Sequence, residues 1–283
     1  MNPLGCHALV WAGDWSEPSA RYAIESTARV GFDFIEIAIL DPQSVDTAMT
    51  KSLLEGNGLG AACSLGLDDD TDVSSEDPAV VARGQDRLAA AVDVAHRIGA
   101  SHLVGVLYSK LGKYAGPITP AGRAHVVESM SWLAKQAADA GLSLSLEVVN
   151  RYETNVVNTA VDMLALIDET GADIGVQLDS YHMNIEESDF VTPVEAVANR
   201  LRYLHIGESH RGYLGTGTID FDALFGAVRR VGYTGPVTFE SFSSAVVHPD
   251  LSNNLAVWRN LWDDSSDLAE TAYSFMASRL TDH

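Results

Sequence analysis

The feature that most constrains this chain is a junction that recurs along it: an amphipathic stretch ends, a glycine follows, and a short apolar run begins. Arg29-Val30-Gly31 precedes FDFIEIAIL, Gly58 precedes LGAACSLGL, and Gly99 precedes ASHLVGVLY. Gly141 precedes LSLSLEVVN, Gly171 precedes ADIGVQLD, and Gly232 precedes YTGPVTFES. Glycine just past a helix end takes the left-handed conformation without a Cβ clash, which lets the chain turn from helix into strand. Six such junctions predict a chain built of repeated strand–helix units.

Two further runs, GCHALVW near residues 5–11 and LRYLHIGE at 201–208, bring the expected strands to eight. The runs are nearly continuous rather than alternating, as parallel strands buried on both faces require. Thr119-Pro120, Thr192-Pro193 and Ser75-Glu76-Asp77-Pro78 read as helix starts, each placing proline in the first turn beside a capping residue. Eight strands alternating with eight helices favour an α/β chain closed into one (β/α)8 barrel over an open doubly wound sheet. No GxGxxG follows the first strand, which removes the dinucleotide-binding alternative. Residues 1–283 read as a single domain without a linker. The acidic DDDTDVSSED (68–77) is expected to be a solvated loop, and 253–280 a terminal helix carrying Trp258, Leu261 and Trp262.

The formal charge is −21, from 39 acidic against 18 basic residues. Such a field repels nucleic acid and anionic membrane surfaces, and suits a neutral substrate or a cationic cofactor. Two cysteines are too few for a disulfide framework. No run approaches the ~20 apolar residues that would cross a membrane, and the first residues lack the character of a signal peptide. A cytoplasmic location is expected.

A barrel of this kind places its active site at the C-terminal ends of the strands. There the fifth strand (SLSLEVVN) delivers Glu147 and the sixth (IGVQLDSYH) delivers Asp179, with His182 close behind. The seventh (LRYLHIGES) delivers His205 and then Glu208, and the eighth (GPVTFESF) delivers Glu240. A single Glu at a strand end is commonly a salt-bridge partner, and a single buried His a satisfied core residue. Ionisable residues on four successive strand ends are a different matter. Three carboxylates gathered at one end of a barrel repel one another strongly, and a divalent cation resolves the conflict. Three carboxylates and one imidazole form a mostly hard donor set, suited to Mn2+ or Mg2+.

The stretches SLEVVNRYETN (145–155), LDSYHMNIEE (178–187), LHIGESHRGYLGTG (204–217) and FESFSS (239–244) resemble the ketose 3-epimerases. These belong to the xylose-isomerase-like TIM barrels and are typified by D-tagatose and D-allulose (D-psicose) 3-epimerases. CHALVW and SLGLDDDTDVSSEDP look like the branch that contains D-allulose and L-ribulose 3-epimerases, and the likeness runs over essentially the whole chain. The resemblance implies a metal held by Glu147, Asp179, His205 and Glu240: one divalent ion, Mn2+ first, with Mg2+ or Co2+ as alternatives. It implies Glu147 and Glu240 as the catalytic acid/base pair, one removing the C3 proton and the other returning one to the opposite face through an enediolate. Glu153, His182 and Arg211 would contact substrate. His7, Trp15, Cys63, Leu107, Tyr108 and Tyr114 are candidates for the wall around the far end of the sugar. The implied partners are a free ketose (D-allulose/D-fructose, D-tagatose/D-sorbose or L-ribulose/L-xylulose) and further copies of the chain in a dimer or tetramer.

Three rivals stand beside this reading. An aldose–ketose isomerase on the same scaffold would move hydrogen between C1 and C2. A metal-dependent phosphodiester hydrolase would want a basic face and more histidines. A non-catalytic sugar-binding barrel would have no need of both glutamates.

Overall fold

The computed structural model describes residues 2–280. All six junction glycines adopt positive φ, from 61° at Gly171 to 104° at Gly31, and the units they separate close into a barrel. The strands are β1 (Leu4–His7), β2 (Phe34–Ala38), β3 (Gly60–Leu67), β4 (His102–Lys110), β5 (Ser143–Glu147), β6 (Gly175–Asp179), β7 (Leu201–Ile206) and β8 (Val237–Phe239). Each pairs in parallel with the next, and β8 pairs back to β1. The helices are α1 (Glu17–Val30), α2 (Thr47–Asn57), α3 (Pro78–Ile98), α4 (Pro120–Asp139), α5 (Ala160–Thr170), α6 (Ser180–Glu186), α7 (Thr192–Ala196), α8 (Phe221–Arg230), α9 (Pro249–Asn254) and α10 (Ser265–Leu280). Two expected caps form: Asp77 accepts from the Ala79 N–H and Thr119 from the Gly122 N–H. At α7 the cap comes instead from Asp189, whose carboxylate accepts the Val191 and Thr192 N–H groups.

Strand alternation sorts the side chains into two layers. Residues facing the helices join one large apolar core, whereas Phe34, Ala62, Val104 and Tyr203 form a separate cluster. The Tyr203 hydroxyl in this cluster reaches across to Glu36 on β2 and Thr238 on β8, which places it inside the barrel. Two residues further along β2 and β7, on the same strand face, come Glu36 and His205. The barrel interior thus changes from apolar to ionisable on approaching the C-terminal ends.

The expected single helix over 253–280 is divided. Ala256 takes a positive φ of 54° just past α9. Asp264 then accepts the Ser266 and Asp267 N–H groups and starts α10 anew. Trp262, in the stretch between, is buried and donates to Ser241 Oγ, whereas Trp258 is 72% exposed. Among the described residues, no helix is long and apolar enough to cross a membrane.

Candidate metal and active site

Glu147 and Asp179 are the last residues of β5 and β6, His205 lies one residue before the end of β7, and Glu240 follows β8 directly. All four are buried, and one ligand-capable atom from each lies within 4.8 Å of the others. His205 is central: its Nδ1 is 3.4 Å from Glu147 Oε1 and 3.5 Å from Glu240 Oε2. Asp179 divides its oxygens, Oδ1 accepting the Tyr181 N–H that opens α6 and Oδ2 accepting from Arg211 Nη1 at 3.0 Å. Arg211 Nη1 also donates to Glu240 Oε2 at 2.6 Å. Without an ion these acids rely on Arg211 and on a protonated His205, whose imidazole, despite its burial, the neighbouring carboxylates hold well above its usual range, and burial leaves Glu147 inclined to keep its proton. A divalent cation would displace those protons, and the oxygen-rich donor set of three carboxylates and one imidazole fits a hard one.

The two glutamates differ electrostatically. Burial pushes the Glu147 carboxyl up to about 8, although His205 opposes the shift. Burial also works against the charge of Glu240, but Arg211 and His205 outweigh it and hold that carboxyl well below the usual range. The two carboxyls thus differ in opposite directions from an ordinary glutamate.

Glu153, His182 and Arg211 gather at the rim of this cluster. Burial lowers His182 to about 4, so its ring is neutral at pH 7. Its Nδ1 accepts the Asn150 backbone N–H at 3.2 Å, which leaves Nε2 with the proton. That nitrogen lies 3.6 Å from Asp179 Oδ2 and 3.9 Å from both Glu147 Oε1 and Glu153 Oε2. His182 is therefore a hydrogen-bond donor aimed into the site. Glu153 is held by Asn150 Nδ2 at 2.8 Å. Arg211 has a positive φ of 62°, stacks 3.9 Å from the Tyr181 ring centroid, and has its carbonyl bonded by the Ser241 hydroxyl. Glu208, also singled out by its strand end, plays a different part. Its carboxylate accepts the Ser209, Gly215 and Ile219 N–H groups and so folds its own loop.

Glu147, Glu153, His182, His205, Arg211 and Glu240 line a cavity of ≈ 90 Å³. Of the six residues expected around the far end of the sugar, the cavity brings in His7 and leaves out the other five. Cys63 is fully buried, and its neighbour Ser64 lines the cavity, so alternation turns Cys63 to the helix layer. Leu107 and Tyr108 are likewise fully buried, beside the register shift of β3 against β4. The Tyr108 hydroxyl donates to the Glu147 carbonyl at 2.7 Å. Tyr114 is bonded to Asp72 and Ser74 in the acidic loop. Trp15, which donates to Thr50, lines an adjoining hollow that shares Leu9, Ala38, Leu40 and Leu251 with the cavity. The rest of the cavity wall is largely apolar: Leu9, Leu65, Val106, Leu111, Val149 and Phe242, with Leu251 and Leu255 contributed by α9 and its end. Sequence reasoning also missed Glu36, although FDFIEIAIL carries the same signal, an acid inside an apolar run.

A family model described as xylose isomerase-like TIM barrel matches residues 24–267. The chain belongs to this family. Within the xylose isomerase-like barrels it is 54% identical to the L-ribulose 3-epimerase of Methylomonas sp. (strain DH-1), over 97% of this chain and 96% of that one. It is 52% identical to the ketose 3-epimerase of Arthrobacter globiformis, over 98% and 96% respectively. The crystal structure of D-allulose 3-epimerase from Methylomonas sp. in complex with D-allulose superposes with a TM-score of 0.97 at 54% identity, covering 98% of this chain and 97% of that one. These relatives place this barrel among the epimerases, as the sequence motifs implied.

Proposed function

We propose that the protein is a metal-dependent ketose 3-epimerase acting on free ketoses. The observation that carries this reading is the convergence of Glu147, Asp179, His205 and Glu240 within 4.8 Å, with two glutamates of opposite proton affinity flanking one histidine. The names of the relatives, L-ribulose 3-epimerase and ketose 3-epimerase, agree with it.

Glu147, Asp179, His205 and Glu240 would hold one divalent ion, Mn2+ in the first instance. When bound, the ion supplies Lewis-acid stabilisation for the negative charge that grows on the ketone oxygen as C3 loses its proton. Glu240, held ionised beside Arg211, is suited to take the proton from one epimer, and Glu147 to hold the proton returned to the opposite face. The reverse reaction exchanges their roles. His182 donates from Nε2 to a substrate oxygen, Arg211 adds a fixed positive charge beside it, and Glu153 accepts from a hydroxyl. Among the described residues that line the cavity, Arg211 is the only guanidinium or ammonium, and it is engaged by Asp179 and Glu240. No separate cation is left for a sugar phosphate, which favours free sugars.

The test is a panel of free ketopentoses and ketohexoses incubated with Mn2+ in D2O. The expected product is a C3-inverted ketose bearing deuterium at C3, with no turnover after chelation and recovery on adding Mn2+. An aldose as sole product would assign the site to aldose–ketose isomerisation. Absence of deuterium at C3 across the panel would leave a binding barrel.

A further inference from the structure

Glu36 is fully buried inside the barrel near the end of β2, outside the set of four convergent ligand atoms. Its Oε2 lies 2.7 Å from His205 Nε2 and also accepts the Tyr203 hydroxyl at 2.8 Å. Tyr203 in turn accepts from Thr238 Oγ1 at 2.8 Å, so its own proton is committed to Glu36. The other oxygen, Oε1, has no hydrogen bond and stands 3.5 Å from His7 Nε2. A carboxylate accepts and does not donate. The contact with His205 therefore requires the proton to sit on Nε2, and it aims Nδ1 at Glu147 and Glu240.

We propose that Glu36 is a positioning residue for the metal centre: it fixes His205 as the Nε2–H tautomer with the Nδ1 lone pair turned to the ion. A metal-bound imidazole whose second nitrogen donates to a carboxylate is both oriented and made more basic, and removing such a partner typically weakens metal binding by about 10–100-fold. The barrel makes the arrangement rigid. Glu36 comes from β2 and His205 from β7, strands separated by β1 and β8 in the closed barrel, with Tyr203 and Thr238 bracing the carboxylate from the apolar layer beneath. Serving the centre from below leaves the cavity mouth free for substrate. The inference rests on the metal reading of the site and extends it to a residue outside the four convergent ligands.

The test is calorimetric titration of Mn2+ into chelator-treated wild-type protein and into Glu36→Gln, which keeps the side-chain shape and removes its charge. Wild type is expected to bind one ion. In Glu36→Gln the dissociation constant is expected to rise about 10–100-fold, with most of kcat returning at saturating Mn2+. Equal affinities in the two proteins, or a loss of kcat that excess Mn2+ does not restore, would overturn the role of Glu36. Failure of wild type to bind Mn2+ would overturn the metal reading itself, and this inference with it. Should Glu36→Gln not fold, 15N NMR of the His205 ring in Mg2+-loaded wild type decides: a protonated Nε2 and an unprotonated Nδ1 are expected, and the opposite tautomer refutes the assignment.

Discussion

Arg211 and Glu240 form a buried ion pair, Nη1 to Oε2 at 2.6 Å, and the same nitrogen reaches Asp179. Arg211 therefore ties together two of the four convergent side chains while its guanidinium plane lies over Tyr181. Lysine can offer neither the planar fork nor the stack. Arg211→Lys should lower kcat/KM by about 10²-fold, because misplacement of a positioning group costs on that order, while circular dichroism stays native. A variant within threefold of wild type in steady-state assays with the best ketose of the panel would show that Arg211 only braces its loop.

Glu147 and Glu240 stand on either side of His205, so removing one should leave the other able to act on its own face of C3. Glu147→Gln and Glu240→Gln should each lose at least ~10²-fold in epimerisation. Each should nevertheless exchange the C3 hydrogen of one epimer with solvent deuterium without inverting it, and the two variants should prefer opposite epimers. NMR of each epimer incubated separately in D2O reads this directly. Exchange of both epimers by either variant would point to a single base.

Metal uptake should depend on pH through Glu147. Burial raises that carboxyl to about 8 in the ion-free protein, so below this value the group carries a proton that an incoming cation must displace. The apparent Mn2+ affinity should accordingly fall as pH drops from 8 toward 6, by up to about tenfold per unit for one proton, and binding should release protons to the buffer. Titration calorimetry in buffers of different ionisation enthalpy measures both. A flat affinity over this range would mean that Glu147 is already ionised before the ion arrives.

Much of the site was legible because its physical oddity is local. An acid or histidine inside a buried apolar run is costly, and Glu147, Asp179, His205 and Glu240 each show that anomaly within a few residues of sequence. Glu36 shows it too. What the sequence withholds is that β8 closes on β1, which brings the inward faces of β2 and β7 together and makes Glu36 a neighbour of His205. The distal wall was harder for a related reason. Cys63 and Ser64 are adjacent, and only strand register decides which of them faces the cavity. Leu107 and Tyr108 lie where β4 slips against β3, so alternation could not be counted through them. Leu255 reaches the cavity from the segment 253–280, expected to be one continuous helix, and Leu251 from just before it; the positive φ of Ala256 that ends α9 has no signature in an alanine.

Gly84 offers a prediction that opposes helix propensity. Replacing glycine by alanine inside a helix ordinarily stabilises by about 1 kcal/mol, and Gly84 lies in the middle of α3. A Cβ there would stand 2.2 Å from the Thr71 carbonyl oxygen and 2.7 Å from Val73, because the loop after β3 packs directly on the bare backbone. Relieving such overlap moves main chain and costs about 1–3 kcal/mol. Gly84→Ala should therefore lower the melting temperature, by about 2–4 °C for each kcal/mol lost in a chain of this size. Gly56→Ala is the matched control: it lies in the last turn of α2, and its Cβ would meet nothing within 4 Å. That change should hold or slightly raise the melting temperature. Scanning calorimetry of the two variants separates the explanations, since a stabilised Gly84→Ala would mean that the loop after β3 yields to the helix. Because that loop leads from the cavity residues Ser64, Leu65 and Gly66, a destabilised variant should also raise KM for the ketose more than it lowers kcat.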